Sequence, residues 1–275
     1  MSLSPGEFEY VRNLLQQQAG IALEPGKEYL VEARLNPLAR QEGFPSLQQL
    51  IAGLQTSSSF ASLHRKVVQA MTTNETSFFR DLRPFEVLRT HVLPELLAKA
   101  ADPKLNFWCA AASTGQEPYS LAMLLREAVP LQLSTWNVRV IASDLSSEVL
   151  ARALQGRYTQ FEVSRGLPPR LRVKYFEQDG NEWQIRPDIR RMVEFREMNL
   201  TESWGALPPL DVIFMRNVLI YFDLDTKRSI FAKVRQVLKP GGFLFLGSSE
   251  TTLNLDDGFE PVPPDRSACY RFRLQ

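Results

Sequence analysis

The sequence predicts an α/β domain that follows a small all-helical domain. Over residues 1–85, apolar residues recur at the three- and four-residue spacing typical of helices. From residue 105 onward, short apolar runs alternate with helical stretches, which is the pattern of parallel strands joined by crossover helices. An irregular stretch over residues 156–190 interrupts this alternation and predicts an inserted β-subdomain with a short antiparallel hairpin.

The composition fits a folded protein of one or two domains. The chain has 275 residues, 44% of them apolar, and a net charge of +1 from 32 basic and 31 acidic residues. A charge so close to zero gives no indication of a nucleic acid partner. Because a run of about 18 apolar residues and a signal-peptide pattern are both absent, we expect no membrane insertion and a cytoplasmic location. Cys109 and Cys269 lack the spacing of a zinc or redox site, so we expect reduced core cysteines and no metal.

Four helices are predicted in the first domain. Ser4 begins the first helix and Gly20 ends it. The second spans residues 26–40, and Pro37 is expected to bend it or split it. Ser46 caps the third helix. The fourth carries apolar residues at helical spacing, namely Phe60, Leu63, Val67 and Met71.

Residues 72–81 interrupt the helical pattern with hydrogen-bonding side chains, two aromatic residues and an arginine. Asn74 and Thr76 offer short donors and acceptors, and the planar guanidinium of Arg80 fits a carboxylate. Such a stretch is able to close over a ligand. The alternative is a polar turn between helices that is anchored by its two aromatic residues, and the stretch alone does not decide between them.

Residues 105–120 are the centre of the predicted α/β domain. An apolar strand ends at Cys109, a loop of small residues runs to Gly115, and a helix begins at Gln116. A bare loop at the carboxyl end of a strand admits a ligand to backbone amides. The loop lacks the glycine and lysine patterns of phosphate sites, and Glu117 is expected to face the ligand. A cationic ligand such as the sulfonium of S-adenosylmethionine is therefore favoured, with plain packing of strand on helix as the alternative.

Later strands predict more polar groups at the same edge of the sheet. Asp144 ends the second strand, where a carboxylate accepts hydrogen bonds from ribose hydroxyls, although a cap or turn role is equally compatible. Asn199 and Leu200 follow the strand over residues 192–196, where an adenine ring fits against an apolar side chain. The strand over residues 211–215 is followed by three further candidates, Arg216, Asn217 and Tyr221.

Five motifs occur in order along the chain. They are Asn-Glu-Thr-Ser-Phe-Phe-Arg (74–80), Trp-Cys-Ala-Ala-Ala-Ser-Thr-Gly-Gln-Glu-Pro-Tyr-Ser (108–120), Ser-Asp-Leu (143–145), Arg-Asn-Val-Leu-Ile-Tyr-Phe (216–222) and Leu-Lys-Pro-Gly-Gly (238–242). Together they resemble the motifs of the CheR-type chemotaxis receptor methyltransferases, and the resemblance covers nearly the whole chain.

The resemblance implies a class I (Rossmann-like) methyltransferase core that uses S-adenosylmethionine. It implies a helical domain with its linker over residues 1–85, a methyltransferase domain over residues 86–275 and the β-subdomain over residues 156–190. Nine positions match the family's cofactor-binding residues: Asn74, Thr76, Arg80, Glu117, Asp144, Asn199, Leu200, Arg216 and Asn217. Arg80 and Tyr221 also match residues that act near the transferred methyl group.

The activity implied is esterification of glutamate side chains on the cytoplasmic domains of chemoreceptors, in chemotactic adaptation. The implied partners are these receptors and regulatory adaptor proteins, and we expect a monomer. A glutamate carboxyl, with an ordinary pKa of about 4.3, is already ionised at neutral pH, so no strong base is required. None is evident, because His64 and His91 lie in helical stretches away from the strand ends.

Two features depart from the family pattern. The second helix carries only three basic residues, Lys27, Arg34 and Arg40, where well-known members have a dense basic face. The hairpin around residues 179–181 is shorter than the glycine-rich loop with which some members bind a receptor's carboxyl-terminal pentapeptide. We therefore predict weak or absent pentapeptide binding. The basic residues of the insertion are either a solvated face or a docking surface: Arg165, Arg170, Arg172 and Lys174.

Two other functions are weighed against this one. A methyltransferase for nucleic acids or small molecules is disfavoured by the near-zero charge and by the absence of an Asn/Asp-Pro-Pro-Tyr motif. A non-catalytic adaptor that keeps the fold is disfavoured because Arg80, Asp144 and Tyr221 are all present.

Overall fold

The computed structural model describes residues 3–56, 61–100, 102–205, 207–263 and 269–273. These residues form two compact units. The first unit comprises residues up to Thr73 together with Tyr221–Lys227, and the second comprises Asn74–Ile220 and the residues from Arg228 onward. Among the described residues, no helix has both the length and the apolar character needed to cross a bilayer.

Thirteen α-helices are present in the described residues. They are α1 (Pro5–Ala19), α2 (Glu28–Gln41), α3 (Leu47–Thr56), α4 (Ala61–Met71), α5 (Arg83–Val87), α6 (Leu93–Lys99), α7 (Gln116–Ala128), α8 (Pro130–Thr135), α9 (Ser147–Gln155), α10 (Gln160–Ser164), α11 (Pro169–Tyr175), α12 (Pro187–Arg190) and α13 (Leu224–Val237). A π-helical turn, Leu88–Val92, joins α5 to α6.

The helices of the first unit begin and end where local signals predict. Ser4 caps α1 through a reciprocal hydrogen-bond pair with Glu7, and Gly20 ends the helix in the left-handed conformation. At α3, Ser46 Oγ accepts a hydrogen bond from the Gln49 amide at 3.2 Å. The predicted contribution of Phe60 to the fourth helix falls outside the described residues.

Pro37 was predicted either to bend or to split the second helix, and it does not split it. It lies inside α2, which continues on both sides of it. A proline in a helix interior costs about 3 kcal/mol because a backbone hydrogen bond is lost. The buried side chains of α2 lie both before and after the proline, and their burial offsets that cost: Val31, Leu35, Leu38 and Ala39.

The segment Tyr221–Lys227 belongs to the helical unit although it follows a strand of the α/β unit in sequence. The amide of Ala22 donates a hydrogen bond to the Tyr221 carbonyl at 2.8 Å. Phe222 forms an antiparallel bridge with Ile21. The sequence placed Tyr221 only at the edge of the sheet, whereas backbone pairing with the loop after α1 fixes it within the first unit.

The second unit is built on a seven-stranded sheet, with a separate three-stranded sheet. The strands are β1 (Lys104–Ala110), β2 (Asn137–Asp144), β3 (Arg157–Thr159), β4 (Phe176–Asp179), β5 (Glu182–Ile185), β6 (Val193–Glu197), β7 (Leu210–Met215), β8 (Leu238–Leu246), β9 (Phe259–Pro261) and β10 (Cys269–Phe272). The larger sheet has the order β6-β2-β1-β7-β8-β10-β9. Its first five strands are parallel, and β10 pairs antiparallel with both of its neighbours, β8 and β9.

The strand order of the large sheet reverses between β1 and β7. In register, Cys109 lies opposite Ala142 on β2 and Phe214 on β7, and all three are fully buried. Ligands of open α/β sheets bind at the carboxyl ends of the strands beside such a reversal. The predicted α/β core is therefore present, and its expected ligand edge is the one reached by the loops after β1, β2, β6 and β7.

The inserted β-subdomain is present as predicted. Strands β3, β5 and β4 form an antiparallel sheet, and the hairpin between β4 and β5 turns through Gly180 and Asn181. Several short elements of the second unit went unpredicted. Among them are helix α8, the three helices α10, α11 and α12 of the insertion, and the edge strand β9.

The boundary between the two units lies at residues 73 and 74, ahead of the predicted boundary at residues 85 and 86. The reason is that the intervening segment is bonded to the α/β unit. Ser113 Oγ donates to the Asn74 carbonyl at 2.8 Å, and the Phe79 amide donates to Ser120 Oγ at 2.9 Å.

Glu127 links α7 to the insertion, and we expect its removal to change stability in a pH-dependent way. Its Oε1 lies 2.5 Å from Lys174 Nζ, and this hydrogen bond holds the pKa of Glu127 below its ordinary value. A lowered carboxyl pKa stabilises the fold above the unfolded-state pKa, and this contribution is lost as pH falls through the folded-state value. Glu127→Gln should therefore destabilise the protein by about 1 kcal/mol near pH 7 and by much less near pH 3. Denaturant titrations at both pH values test this, and an equal loss at both would contradict it.

Candidate functional site

The loop after β1 is tied directly to the end of β2. The Ala112 amide donates to the Ser143 carbonyl and the Ser113 amide to Asp144 Oδ2, each at 2.8 Å. Ala111 and Ser113 have φ of 55° and 50°, a conformation that costs non-glycine residues free energy and persists only where surrounding bonds enforce it. The loop predicted to carry a ligand is thus held open by neighbouring strand ends.

Position 115 is occupied by glycine because the neighbouring side chains leave no room for a larger residue. A bound ligand is not needed to explain this glycine. A Cβ atom there would lie 3.0 Å from the Ala153 Cβ and 3.1 Å from both the Tyr119 ring and the Tyr158 hydroxyl. The Tyr158 hydroxyl also donates to the Thr114 carbonyl at 2.8 Å. The packing alternative therefore accounts for Gly115. It does not account for the positive φ of Ala111 and Ser113.

Asp144 has the turn role that its position suggested, and its ribose-binding role stays a prediction. Its Oδ2 accepts from Ser113 and its Oδ1 from the Ser146 amide at 3.0 Å, which is a turn-stabilising role. Burial raises the pKa of Asp144, and hydrogen bonds from backbone amides oppose that shift. The two carboxylate oxygens have four lone pairs, and the backbone amides of Ser113, Leu145 and Ser146 use three, so capacity remains for one bond from a ligand hydroxyl.

Glu117 does not present an unpaired charge. Its Oε2 lies 2.8 Å from Arg216 Nη1, and the Arg216 side chain is only 1% exposed. Burial raises the pKa of Glu117, and the Arg216 guanidinium opposes the shift. The argument that Glu117 disfavours anionic ligands assumed an unpaired carboxylate. The positive charge of Arg216 compensates the charge of Glu117 and weakens that argument.

Arg216 makes hydrogen bonds to several other residues of the site. Its Nη2 lies 2.6 Å from Asp81 Oδ2 and 3.0 Å from the Arg80 carbonyl oxygen. Its Nε is buried and has no partner in the described residues. Because buried donors are nearly always satisfied, this nitrogen is a place where a ligand acceptor fits.

The segment 74–82 is held in the second unit by its aromatic residues. Phe78 is fully buried, with its ring 4.9 Å from Tyr158 and 5.5 Å from Phe176, so the anchoring role proposed for the aromatic residues is present. Arg80 Nη1 donates to the Glu75 carbonyl at 2.9 Å. Three residues of this segment have a positive φ, namely Phe79, Asp81 and Leu82. Such strain clusters at ligand-binding sites.

Asn74 and Thr76 belong to the same segment. Asn74 is exposed and Thr76 is partly buried. The Asn74 carbonyl accepts the Ser113 hydroxyl, which joins this segment to the loop after β1.

Asn199 and Leu200 follow β6 as predicted. Asn199 Oδ1 accepts the Thr201 amide at 3.0 Å, and Leu200 is 7% exposed. The indole of Trp204 donates to the Leu200 carbonyl at 3.2 Å and packs edge-on against Trp108 at 4.8 Å. This corner places buried apolar side chains beside the partly buried amide side chain of Asn199.

Asn217 lies at φ 58° directly after Arg216, and its amide donates to Glu250 Oε2 at 2.8 Å. Sequence reasoning missed two residues of this site. Asp81 adjoins Arg80, so its position in the motif was the available signal. Glu250 follows β8 in a polar stretch and carried no signal. Nine of the ten candidates lie in the second unit, and Tyr221 lies in the first.

Comparison with known proteins decides the family. Residues 74–267 match the family described as "CheR methyltransferase, SAM binding domain", and residues 6–72 match "CheR methyltransferase, all-alpha domain". The chain belongs to the CheR methyltransferase family. As a CheR methyltransferase it is an enzyme that depends on S-adenosylmethionine, and the resemblance of the five motifs is confirmed.

Similar proteins span the whole chain. One is "Chemotaxis protein methyltransferase 1" of Pseudomonas aeruginosa, 43% identical over 98% of this chain and 99% of that protein. Another is "Chemotaxis protein methyltransferase Cher2" of Pseudomonas putida, 41% identical with the same coverage. "Chemotaxis protein methyltransferase 1" of Vibrio cholerae is 38% identical over 99% of both chains.

The residues of this CheR site fit the chemistry of S-adenosylmethionine. The cofactor offers a ribose diol, an adenine ring, a carboxylate and a sulfonium. Asp144 suits the diol, the apolar corner at Leu200 suits an apolar ring, and the partnerless Nε of Arg216 suits an acceptor oxygen. In the described residues, no group of three or more His, Cys, Asp or Glu is arranged to hold a metal ion.

Proposed function

We propose that this enzyme transfers the methyl group of S-adenosylmethionine to glutamate side chains of chemoreceptors, forming methyl esters for chemotactic adaptation. The observation that carries the proposal is the full-length similarity to chemotaxis protein methyltransferases at 38–43% identity. It includes the helical domain as well as the cofactor domain. Receptor cytoplasmic domains are the proposed partners, together with regulatory adaptor proteins, and the proposed location is the cytoplasm.

Nine residues are proposed to bind the cofactor. Asp144 takes the ribose, Asn199 and Leu200 border the adenine, and the remaining six hold the methionine part and its charges: Asn74, Thr76, Arg80, Glu117, Arg216 and Asn217. Support for this set comes from Arg216, which bonds Glu117, Asp81 and the Arg80 backbone at once. One guanidinium thereby joins the start of α7 and the segment 74–82 to the end of β7.

The cofactor supplies an electrophilic methyl group on its sulfonium. The substrate carboxylate is the nucleophile and is ionised at neutral pH, so the protein needs to orient it and to remove water from it. We propose that Arg80 holds one carboxylate oxygen while Tyr221 positions the other for attack. Of the five N–H donors of Arg80, one is used by the Glu75 carbonyl, which fixes the side chain and leaves donors for a substrate.

A test of the function uses S-adenosylmethionine labelled in its methyl group and membranes that contain chemoreceptors. We expect label on receptor protein that is released as methanol at alkaline pH, because carboxyl methyl esters are base-labile. Receptors with glutamine at the methylation positions are the control and should take up no label. Label in nucleic acid or small molecules, or its absence from receptors, would reject the proposal.

Tyr221→Phe is expected to lower kcat about tenfold while leaving the affinity for S-adenosylhomocysteine unchanged, since only a positioning hydroxyl is lost. Tyr10→Phe is a matched control in the same unit, because the Tyr10 hydroxyl lies 3.4 Å from His64 Nε2 in a helical contact. Steady-state kinetics measures kcat, and calorimetry measures the affinity for S-adenosylhomocysteine. Undiminished turnover in Tyr221→Phe would remove Tyr221 from the mechanism.

We also expect no micromolar binding of a receptor carboxyl-terminal pentapeptide. The β4–β5 hairpin has a two-residue turn, Gly180 and Asn181, which is shorter than the glycine-rich loop that the resemblance assigns to pentapeptide docking in some family members. Isothermal calorimetry with the free peptide tests this, and a micromolar Kd would contradict it.

A further inference from the structure

The carboxylate of Glu250 is buried against backbone amides from two different turns. Glu250 is 8% exposed and follows the end of β8. Its Oε2 accepts the Gly247 amide at 2.6 Å and the Asn217 amide at 2.8 Å. Its Oε1 accepts the Ile220 amide at 3.3 Å. One side chain thus joins the turn after β8 to the turn after β7.

The two turns are also in close backbone contact. A Cβ atom on Gly247 would lie 2.7 Å from Asn217 Nδ2, 2.7 Å from Glu250 Oε2 and 2.9 Å from the Asn217 amide nitrogen. Only a glycine leaves room for that approach. Asn217 has a φ of 58°, a left-handed conformation that asparagine adopts more readily than most other non-glycine residues.

Two of these amides belong to residues that lie between Arg216 and Tyr221 in the sequence. Asn217 directly follows Arg216, and Ile220 directly precedes Tyr221. Glu250 therefore binds both ends of the turn 217–220, which begins directly after Arg216. A buried carboxylate that accepts several amide bonds is a strong local restraint, because leaving those amides unpaired is costly.

We propose that Glu250 is a positioning residue for cofactor binding. It fixes the turn 217–220 through its two carboxylate oxygens, and so sets where the Arg216 guanidinium and the Asn217 amide meet the cofactor. It touches no reacting group. The inference rests on the proposed assignment of Arg216 and Asn217 to the cofactor site.

The test compares Glu250→Ala and Glu250→Gln by calorimetry with S-adenosylhomocysteine. Glu250→Ala leaves all three amides unpaired, and we expect its Kd to rise at least about tenfold. Glutamine keeps one carbonyl oxygen for the two shorter bonds and loses only the longer bond from the Ile220 amide, which then faces its NH2 group, so Glu250→Gln should stay within about threefold of the wild type. Glu260→Gln is the control, because Glu260 is exposed on edge strand β9.

The pattern of losses separates positioning from other roles. Equal losses in Glu250→Ala and Glu250→Gln would mean that the charge acts through space, and would overturn the proposal. A merely structural role would lower the thermal midpoint of Glu250→Ala while leaving its Kd, measured well below that midpoint, unchanged. That outcome also overturns it.

A second variant covers the case in which Glu250→Ala does not fold. Gly247→Ala keeps the carboxylate and displaces Asn217, so we expect about a tenfold rise in Kd, whereas Gly6→Ala, in open space, should bind like the wild type. Wild-type affinity in Gly247→Ala would overturn the proposal. Binding is measured without a receptor, so failure of the chemoreceptor assignment leaves this test intact, and failure of the cofactor site would be seen in the wild type itself.

Discussion

Replacing Arg216 with methionine is expected to destabilise the α/β unit by about 3–5 kcal/mol, because it leaves the buried Glu117 carboxylate without its partner. Methionine keeps most of the length and volume of arginine, so the loss of charge dominates. The Arg216 side chain is 1% exposed and Glu117 lies 2.8 Å away. All four tryptophans lie in the second unit, so intrinsic fluorescence during guanidinium denaturation follows that unit: Trp108, Trp136, Trp183 and Trp204.

The loss in Arg216→Met should depend on pH in a defined direction. Burial already raises the pKa of Glu117, and Arg216 restrains that rise. A carboxyl whose folded-state pKa is raised contributes stability below its unfolded pKa and loses it as pH rises through the folded-state value. Without Arg216 this pKa rises further, so Arg216→Met should be closer to the wild type at about pH 5 than at about pH 8.

The double variant Arg216→Met/Glu117→Gln is the control for charge burial. It removes both members of the pair, so its loss should be smaller than that of Arg216→Met alone. A loss that is independent of pH, together with additive effects in the double variant, would show that Glu117 is not the group left unpaired.

Gly166→Ala is expected to weaken the binding of S-adenosylhomocysteine about tenfold, equivalent to about 1.4 kcal/mol. A Cβ atom on Gly166 would approach the Phe78 carbonyl oxygen more closely than real Cβ contacts allow. Phe78 has little freedom to move, because its ring lies between Tyr158 and Phe176. The displacement therefore reaches the following residues of segment 74–82, including Arg80.

Gly180→Ala is the matched control for this experiment. Both glycines lie in the insertion with positive φ, 84° at Gly166 and 61° at Gly180, and alanine at either costs about 1–2 kcal/mol of backbone strain. A Cβ on Gly180 meets nothing within 4 Å. Calorimetry should give wild-type affinity for Gly180→Ala. Equal affinities in the two variants would show that the insertion does not position segment 74–82.

Much of the fold followed from local signals. Ser4, Gly20 and Ser46 marked helix ends because capping is a contact between residues three or four apart. The buried strands β1, β2 and β7 were predictable because each is a short apolar run in the sequence. The possibility that Pro37 splits the second helix was wrong. The local cost of a proline is outweighed by the burial of α2 side chains against residues that are remote in sequence.

Local patterns were enough to predict the alternation of strands and helices, the inserted subdomain, the family and the nine candidate cofactor residues, since periodicity, caps and motifs are written over short stretches. Only the folded chain shows that Glu117 pairs with Arg216 across 99 residues, that Asp81 joins them, and that Glu250 holds Asn217. It also decided that Tyr221 belongs with the helical unit. Such pairings arise when distant strand ends meet at one edge of a sheet, and charge partners chosen there have no fixed spacing along the chain.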